Sequence, residues 1–153
     1  MPIKWKGSYE STTKLNIFGT GSIGPQGEMG SAGTTLLSVF NGSISTNKGL
    51  SSPEVLGITH VDPSAIGGTK MVLEGSIASV GGGNSTAANL VLFNKTSNAV
   101  ATTVSTTLQN STFVSSELNM PAAAGLYEVR LYVSNSTGAT SAAVAYMARL
   151  RFY

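Results

Sequence analysis

Lys70-Met71-Val72-Leu73-Glu74-Gly75-Ser76-Ile77-Ala78-Ser79-Val80 alternates with a period of two. Met71, Leu73 and Ile77 fall on one side and Lys70, Glu74 and Ser76 on the other, as in a strand that buries one face. Gly81-Gly82-Gly83-Asn84 then breaks the chain. The same reading extends towards the N-terminus. Thr35 to Asn41 is a short apolar run closed by the turn signal Asn41-Gly42, and Val55 to Val61 is a second strand bounded by Pro53 and Pro63. Towards the C-terminus, Asn89 to Phe93 and Ala99 to Thr107 read as a hairpin joined through Asn94-Lys95-Thr96-Ser97-Asn98. Ser111 to Ser116 is a further short strand, and Pro121 to Gly125 is a turn or a single helical turn. Leu126 to Ser134 and Ala142 to Phe152 close the pattern as two long strands connected by Asn135-Ser136-Thr137-Gly138. Tyr146, Leu150 and Phe152 are expected on one face, which would pair the C-terminus inside the sheet.

About eight strands at spacings of roughly 8 to 15 residues, without an amphipathic helix, predict an all-β domain. The expected form is a jelly-roll-like β-sandwich over residues 34–153. Composition agrees with such a core and says something about its surface. Hydrophobic residues make up 41% of the 153 residues, whereas charged residues make up 10%, well below the roughly 25% of ordinary domains. The exterior must therefore be built largely from Ser, Thr, Asn and Gly. Net charge is +2, and no Lys/Arg cluster follows the pattern of a phosphate backbone, so nucleic acid is not expected as a partner.

Cysteine is absent, which removes disulfides, thiolate catalysis and cysteine-based metal sites together. The segment Met1 to Gly7 has no apolar run of signal-peptide length, and no stretch approaches a membrane span, so the expectation is synthesis in a cytoplasm without export or membrane insertion. The sequons at Asn41, Asn84, Asn94, Asn110 and Asn135 are read as turn chemistry.

Upstream of the sandwich, glycine occupies every third position: Gly21, Gly24, Gly27, Gly30 and Gly33. A collagen triple helix forces that period because only hydrogen fits at its axis. Residues 21–33 are therefore expected to form a triple-helical stem of roughly 40 Å, at about 3.1 Å per residue, and the chain to be a homotrimer. Only Pro25 pre-sets the extended backbone, so a trimeric head must hold the strands together. The alternative is a flexible Gly/Ser linker with accidental spacing. Residues 1–20 carry Trp5, Tyr9 and Phe18, large apolar groups that need cover. They are expected to form an attachment arm with Trp5 as anchor; the alternative is that Lys14 to Phe18 is an extra strand and Trp5 packs against the chain's own trimer.

A short collagen-like stem followed by a Ser/Thr/Asn-rich sandwich resembles the trimeric head fibres, capsid decoration proteins and short fibres of tailed bacteriophages. More distantly it is similar to bacterial collagen-like surface proteins with jelly-roll heads. Within the head, Leu90-Val91-Leu92-Phe93-Asn94 and Gly125-Leu126-Tyr127-Glu128-Val129-Arg130-Leu131 are similar to strand patterns of such proteins. The resemblance implies a structural protein on a virion surface, docked on the major capsid protein or another virion protein. The alternative it implies is an adhesion tip that binds a host cell-surface glycan, with Tyr127, Tyr132 and Tyr146 as the candidate rings, although their period-two placement in strands favours core or trimer-interface packing.

Enzymatic chemistry is not expected. The single histidine, His60, would share a strand face with Asp62, a pair too common to define a triad or a metal site. The carboxylates Glu10, Glu28, Glu54, Asp62, Glu74, Glu117 and Glu128 are scattered, and Gly81-Gly82-Gly83 lacks the lysine and following helix of a phosphate loop. No catalytic, cofactor-binding or metal-binding residue is assigned.

Overall fold

The structure is a computed structural model that describes residues 34–81, 86–134 and 141–153. Residues Thr35–Tyr153 form one compact unit. The expected stem glycines and the arm residues Trp5, Tyr9 and Phe18 lie outside the described residues.

Alternating apolar positions make eight strands: β1 (Thr35–Thr46), β2 (Glu54–Val61), β3 (Lys70–Val80), β4 (Ala87–Asn94), β5 (Ala99–Thr106), β6 (Thr112–Asn119), β7 (Gly125–Ser134) and β8 (Ala142–Phe152). They form two antiparallel four-stranded sheets, ordered β1-β8-β3-β6 and β2-β7-β4-β5. Apart from the β4–β5 hairpin, every connection crosses from one sheet to the other, which is jelly-roll topology. The only helical element among the described residues is the turn Pro63–Ile66, which starts where Pro63 fixes φ and Asp62 caps the Ser64 amide.

The core lies between the central strands. Met71, Leu73 and Ile77 of β3 and Ala148, Leu150 and Phe152 of β8 face Leu90 and Leu92 of β4 and Val129 and Leu131 of β7, all buried. Each of the larger of these side chains contributes about 1.5 to 3 kcal/mol of transfer free energy, and Ala148 less. The edge strands add to this layer through the fully buried Val61 at the end of β2 and, part-buried, through Leu37, Phe40, Val104, Val114 and Leu118.

Two sequence expectations are corrected by irregular pairing. Asn41-Gly42 does not end β1. The strand continues to Thr46 with a register shift between Asn41 and Ile44, so the pair marks a bulge within the strand. Opposite it, β8 pairs Met147 with Ser76 but Ala145 with Ile77, leaving Tyr146 as the extra residue. That bulge switches the inward set from Ala143 and Ala145 to Ala148, Leu150 and Phe152. Tyr146 therefore leaves the face of Leu150 and Phe152 and is 39% exposed. Strict alternation would have put Tyr146 on the inward face, and the bulge frees it.

Close approach of the layers demands glycine at Gly75. A Cβ there would stand 2.4 Å from Leu90 Cδ2 and 3.2 Å from the Met147 carbonyl oxygen. Leu90 is fully buried and has no room to withdraw. Gly75→Val should therefore cost about 1 to 3 kcal/mol or more by overpacking, lowering the thermal midpoint by several degrees. An unchanged melting temperature by calorimetry would show that the two sheets can part at this point without loss.

Candidate functional site

The outer faces of the two sheets are the candidate functional surfaces, and each is organised around a buried glutamate. On the β1-β8-β3-β6 sheet, Glu74 points away from the core, as alternation predicts, yet is only 4% exposed. It is covered by its neighbours on β8. Arg149 Nε donates to Glu74 Oε2 at 2.7 Å and Arg151 Nε to Oε1 at 2.8 Å. Burial alone would raise the Glu74 carboxyl, but hydrogen bonds from Arg151 and Arg149 outweigh it and hold the group below its ordinary value of 4.5. Along the same face, Arg151 lies over the Tyr153 ring at 5.0 Å, and the Tyr153 hydroxyl donates to Glu117, which also pairs with Lys70.

On the β2-β7-β4-β5 sheet the equivalent group is Glu128, 5% exposed. Its carboxylate takes Arg130 at 2.7 Å and Lys95 at 2.7 Å. The Arg130 guanidinium stacks 3.5 Å from the Phe93 ring centroid. Here too burial pushes the acid up, and the Lys95 and Arg130 contacts bring it below its ordinary value. With Lys48 paired to Glu54, every lysine and arginine from residue 35 to 153 sits in an ion pair. The cations of this unit are matched within it, and the rest of its exterior is largely hydroxyls, amides and exposed aliphatic groups.

The residues singled out by sequence do not converge. β2 ends at Val61, so His60 is an exposed strand residue while Asp62 caps the helical turn, its carboxyl held down first by the Ser64 hydroxyl and amide. The two do not share a strand face. Tyr127 is buried in the core, where its hydroxyl accepts from Asn94 Nδ2 at 3.0 Å. Tyr132 lies on the outer face of one sheet and Tyr146 on that of the other. They do not form a common ring surface for a sugar. Asn94 behaves as the turn chemistry expected of it, since its Oδ1 accepts from the Ser97 amide in the β4–β5 connection. Sequence reading did not find the two clamped glutamates. Their signal was present in Arg-x-Arg at 149 and 151 and Glu-x-Arg at 128 and 130, patterns that place like-facing charges on one strand. Among the described residues no group of three His, Cys, Asp or Glu could hold a metal ion, and no helix is long and apolar enough to cross a membrane.

No protein-family model and no curated protein sequence matches the chain. Solved structures with a similar strand arrangement include the VP2 subviral particle of infectious bursal disease virus, at 10% identity and a TM-score of 0.47 over 77% of this chain and 32% of that one. An insecticidal delta-endotoxin of Bacillus thuringiensis matches at 13% identity and a TM-score of 0.44 over 72% of this chain and 19% of that one. A glycosylation-associated protein complex of Streptococcus agalactiae matches at 14% identity and a TM-score of 0.36 over 76% and 44%. The chain thus spans about a third of the viral chain and less of the toxin. Likenesses this distant carry no argument about activity or partners, and the jelly-roll assignment rests on the strand order itself.

The clamps make a prediction about acid stability. Both glutamates have folded-state values below the 4.5 of a free carboxyl, so their stabilisation is present above that value and lost as pH falls through the lower folded value. Glu74→Gln should cost about 1 to 3 kcal/mol at pH 7, where Arg149 and Arg151 lose their charged acceptor. The deficit should shrink as pH falls from 5 to 3. Denaturant melts of both proteins across that range check this, and a deficit independent of pH would mean that the clamp does not titrate.

Proposed function

We propose that the chain is a trimeric structural protein on the exterior of a virus particle, a head fibre or capsid decoration of the tailed-phage kind, attached through residues 1–20. The observation that carries this reading is a succession: glycine at every third position from Gly21 to Gly33, followed at once by a jelly-roll unit that begins at Thr35. A triple-helical stem calls for three copies and for a folded head that keeps them together. The head offers a sandwich whose lysines and arginines are all paired within the unit. In this reading the protein performs no catalysis and uses no cofactor. Its partners are two further copies of itself and the major capsid protein or another virion protein, and it is made in the host cytoplasm before joining the particle.

Attachment follows from the arm. Trp5, Tyr9 and Phe18 are large apolar groups in a lysine-bearing segment, the composition of an anchor that buries aromatics in a partner's pockets. Light scattering on the full chain should return about 47 kDa, three times 15.7 kDa. Deleting residues 1–20, or replacing Trp5→Ala, should leave that mass unchanged and lower occupancy on particles that lack the protein. Losing one aromatic anchor costs about 2 to 4 kcal/mol per site, and a rigid trimer compounds that loss over three sites. A monomer at micromolar concentration would remove the stem, and full occupancy by the arm-deleted trimer would move the attachment to the stem or head.

A further inference from the structure

Asn41-Gly42 is the only Asn-Gly pair in the chain, and it sits where the pairing of β1 with β8 lapses. Asn41 is opposite Met147 and Ile44 opposite Ala145, so Gly42 and Ser43 both lie beside Tyr146 without a register partner of their own. Asn41, Gly42 and Ser43 are exposed. Among the described residues no hydrogen bond holds the Asn41 side-chain amide. Asn89 and Asn94 differ in this respect, because Asn89 donates to the Tyr132 carbonyl and the Ser134 hydroxyl, and Asn94 to the Tyr127 hydroxyl.

The fold does not require glycine at position 42. Its φ lies outside the left-handed region, and a Cβ there would meet only Phe40 Cζ, at 3.7 Å, an ordinary contact. Gly75 is held by close packing, and Gly42 is not. What glycine does at this point is leave the peptide nitrogen that follows Asn41 unshielded, with no side chain between it and the Asn41 carboxamide. In a regular ladder the extended backbone keeps that nitrogen away from the preceding Cγ. A bulge, whose residues are out of the ladder, lets the two approach.

We propose that Asn41 is a site of spontaneous covalent modification, at which the Gly42 peptide nitrogen attacks the Asn41 side chain in the folded protein. The nitrogen, its proton lost to base, forms a bond to Asn41 Cγ; the bond from Cγ to Nδ2 breaks, and ammonia leaves with a proton taken from water. The product is a five-membered cyclic imide. Water then opens the ring at either carbonyl, without any change of oxidation state. Opening at Cγ gives aspartate, and opening at the main-chain carbonyl gives isoaspartate, whose backbone runs through the side chain and is one carbon longer. Either product carries a new carboxylate, so net charge falls from +2 to +1. The charge enters the row Asn41, Met147, Ser76 and Phe113, which holds none before. Residues 42 and 43 have no register to lose, so the bulge absorbs the added carbon and the paired parts of β1 on either side of it stay in place. This site is independent of the trimer proposed above.

The test is to incubate the full chain at pH 7, 8 and 9, in native buffer and in parallel in denaturant, and to map its peptides by mass spectrometry. A gain of about 1 Da should appear at residue 41 in native buffer, faster at higher pH, as a mixture of aspartate and isoaspartate. It should precede any gain at Asn84, Asn110 or Asn135, each of which is followed by serine. Gly42→Ala, whose Cβ the structure accommodates, should keep the circular dichroism of the parent and slow the conversion by about tenfold or more. The converted protein should also keep that spectrum. Conversion confined to the denatured chain would show that the fold closes the site. Aspartate without isoaspartate would exclude the cyclic imide, and an unchanged rate in Gly42→Ala would remove the Gly42 nitrogen as the attacking group. Each of these overturns the proposal, and loss of the native spectrum in step with conversion would overturn the bulge as the place that absorbs the added carbon.

Discussion

Insertion of β8 between β1 and β3 is the contact on which the sandwich depends. The last strand is the shared neighbour of β1 and β3, so these two have no partner on that side until residues 142–152 arrive. Such a closure is non-local and costs loop entropy before it returns packing energy, which places this unit among slow-folding β topologies. Glu74 makes the closure specific. Its two oxygens take Arg149 and Arg151, residues two apart on one face of β8, so a one-residue slip of β8 would carry both guanidinium groups to the core side. The bulge at Tyr146 lets the same strand correct its phase part-way and keep Ala143, Ala145, Ala148, Leu150 and Phe152 inward.

The strands were legible in the sequence because a half-buried strand writes its period directly into side-chain polarity. The expected β3, 70–80, and β8, 142–152, match the structure, and the β4–β5 hairpin falls where Asn94 to Asn98 signalled it. Sheet order was not legible, since no local pattern states that the first strand pairs with the last. Neither were the bulges: Asn41-Gly42 has the residues of a turn and serves as a strand irregularity, because β8 continues beside it and holds both sides in register. Glu74 was placed on the correct side of β3, opposite the apolar set, but its burial was not foreseen. Its burial comes from two arginines 75 and 77 positions away, a separation no reading of neighbours would bridge. The stem and arm remain readings of sequence.

Pairing of every cation in the head has a consequence for what the surface recognises. A guanidinium already shared with a buried carboxylate offers little to a phosphate or a sugar acid, because binding it would release Glu74 or Glu128 into a low-dielectric site without a counter-charge. The charges that remain near solvent make short contacts whose value is small and falls with salt. Contacts made by this head must then draw on shape, apolar area and neutral hydrogen bonds. They should vary little with ionic strength.

Edge strands put the final constraint on the fold. An open sandwich leaves the outer backbone groups of β1, β6, β2 and β5 unpaired, and natural sheets guard such edges with charge, proline or bulges. β1 is guarded by its two register shifts and β2 by one between Val55 and Gly57. Yet Val55, Ile58, Val100 and Phe113, large and exposed, sit on edge strands, where a soluble monomer would be selected to carry lysine or glutamate. Aliphatic groups beside unpaired backbone are a liability for a unit that remains alone and an advantage for one whose edges are always covered. A low-charge sandwich with apolar edges is thus better suited to having those edges covered than to standing alone in water.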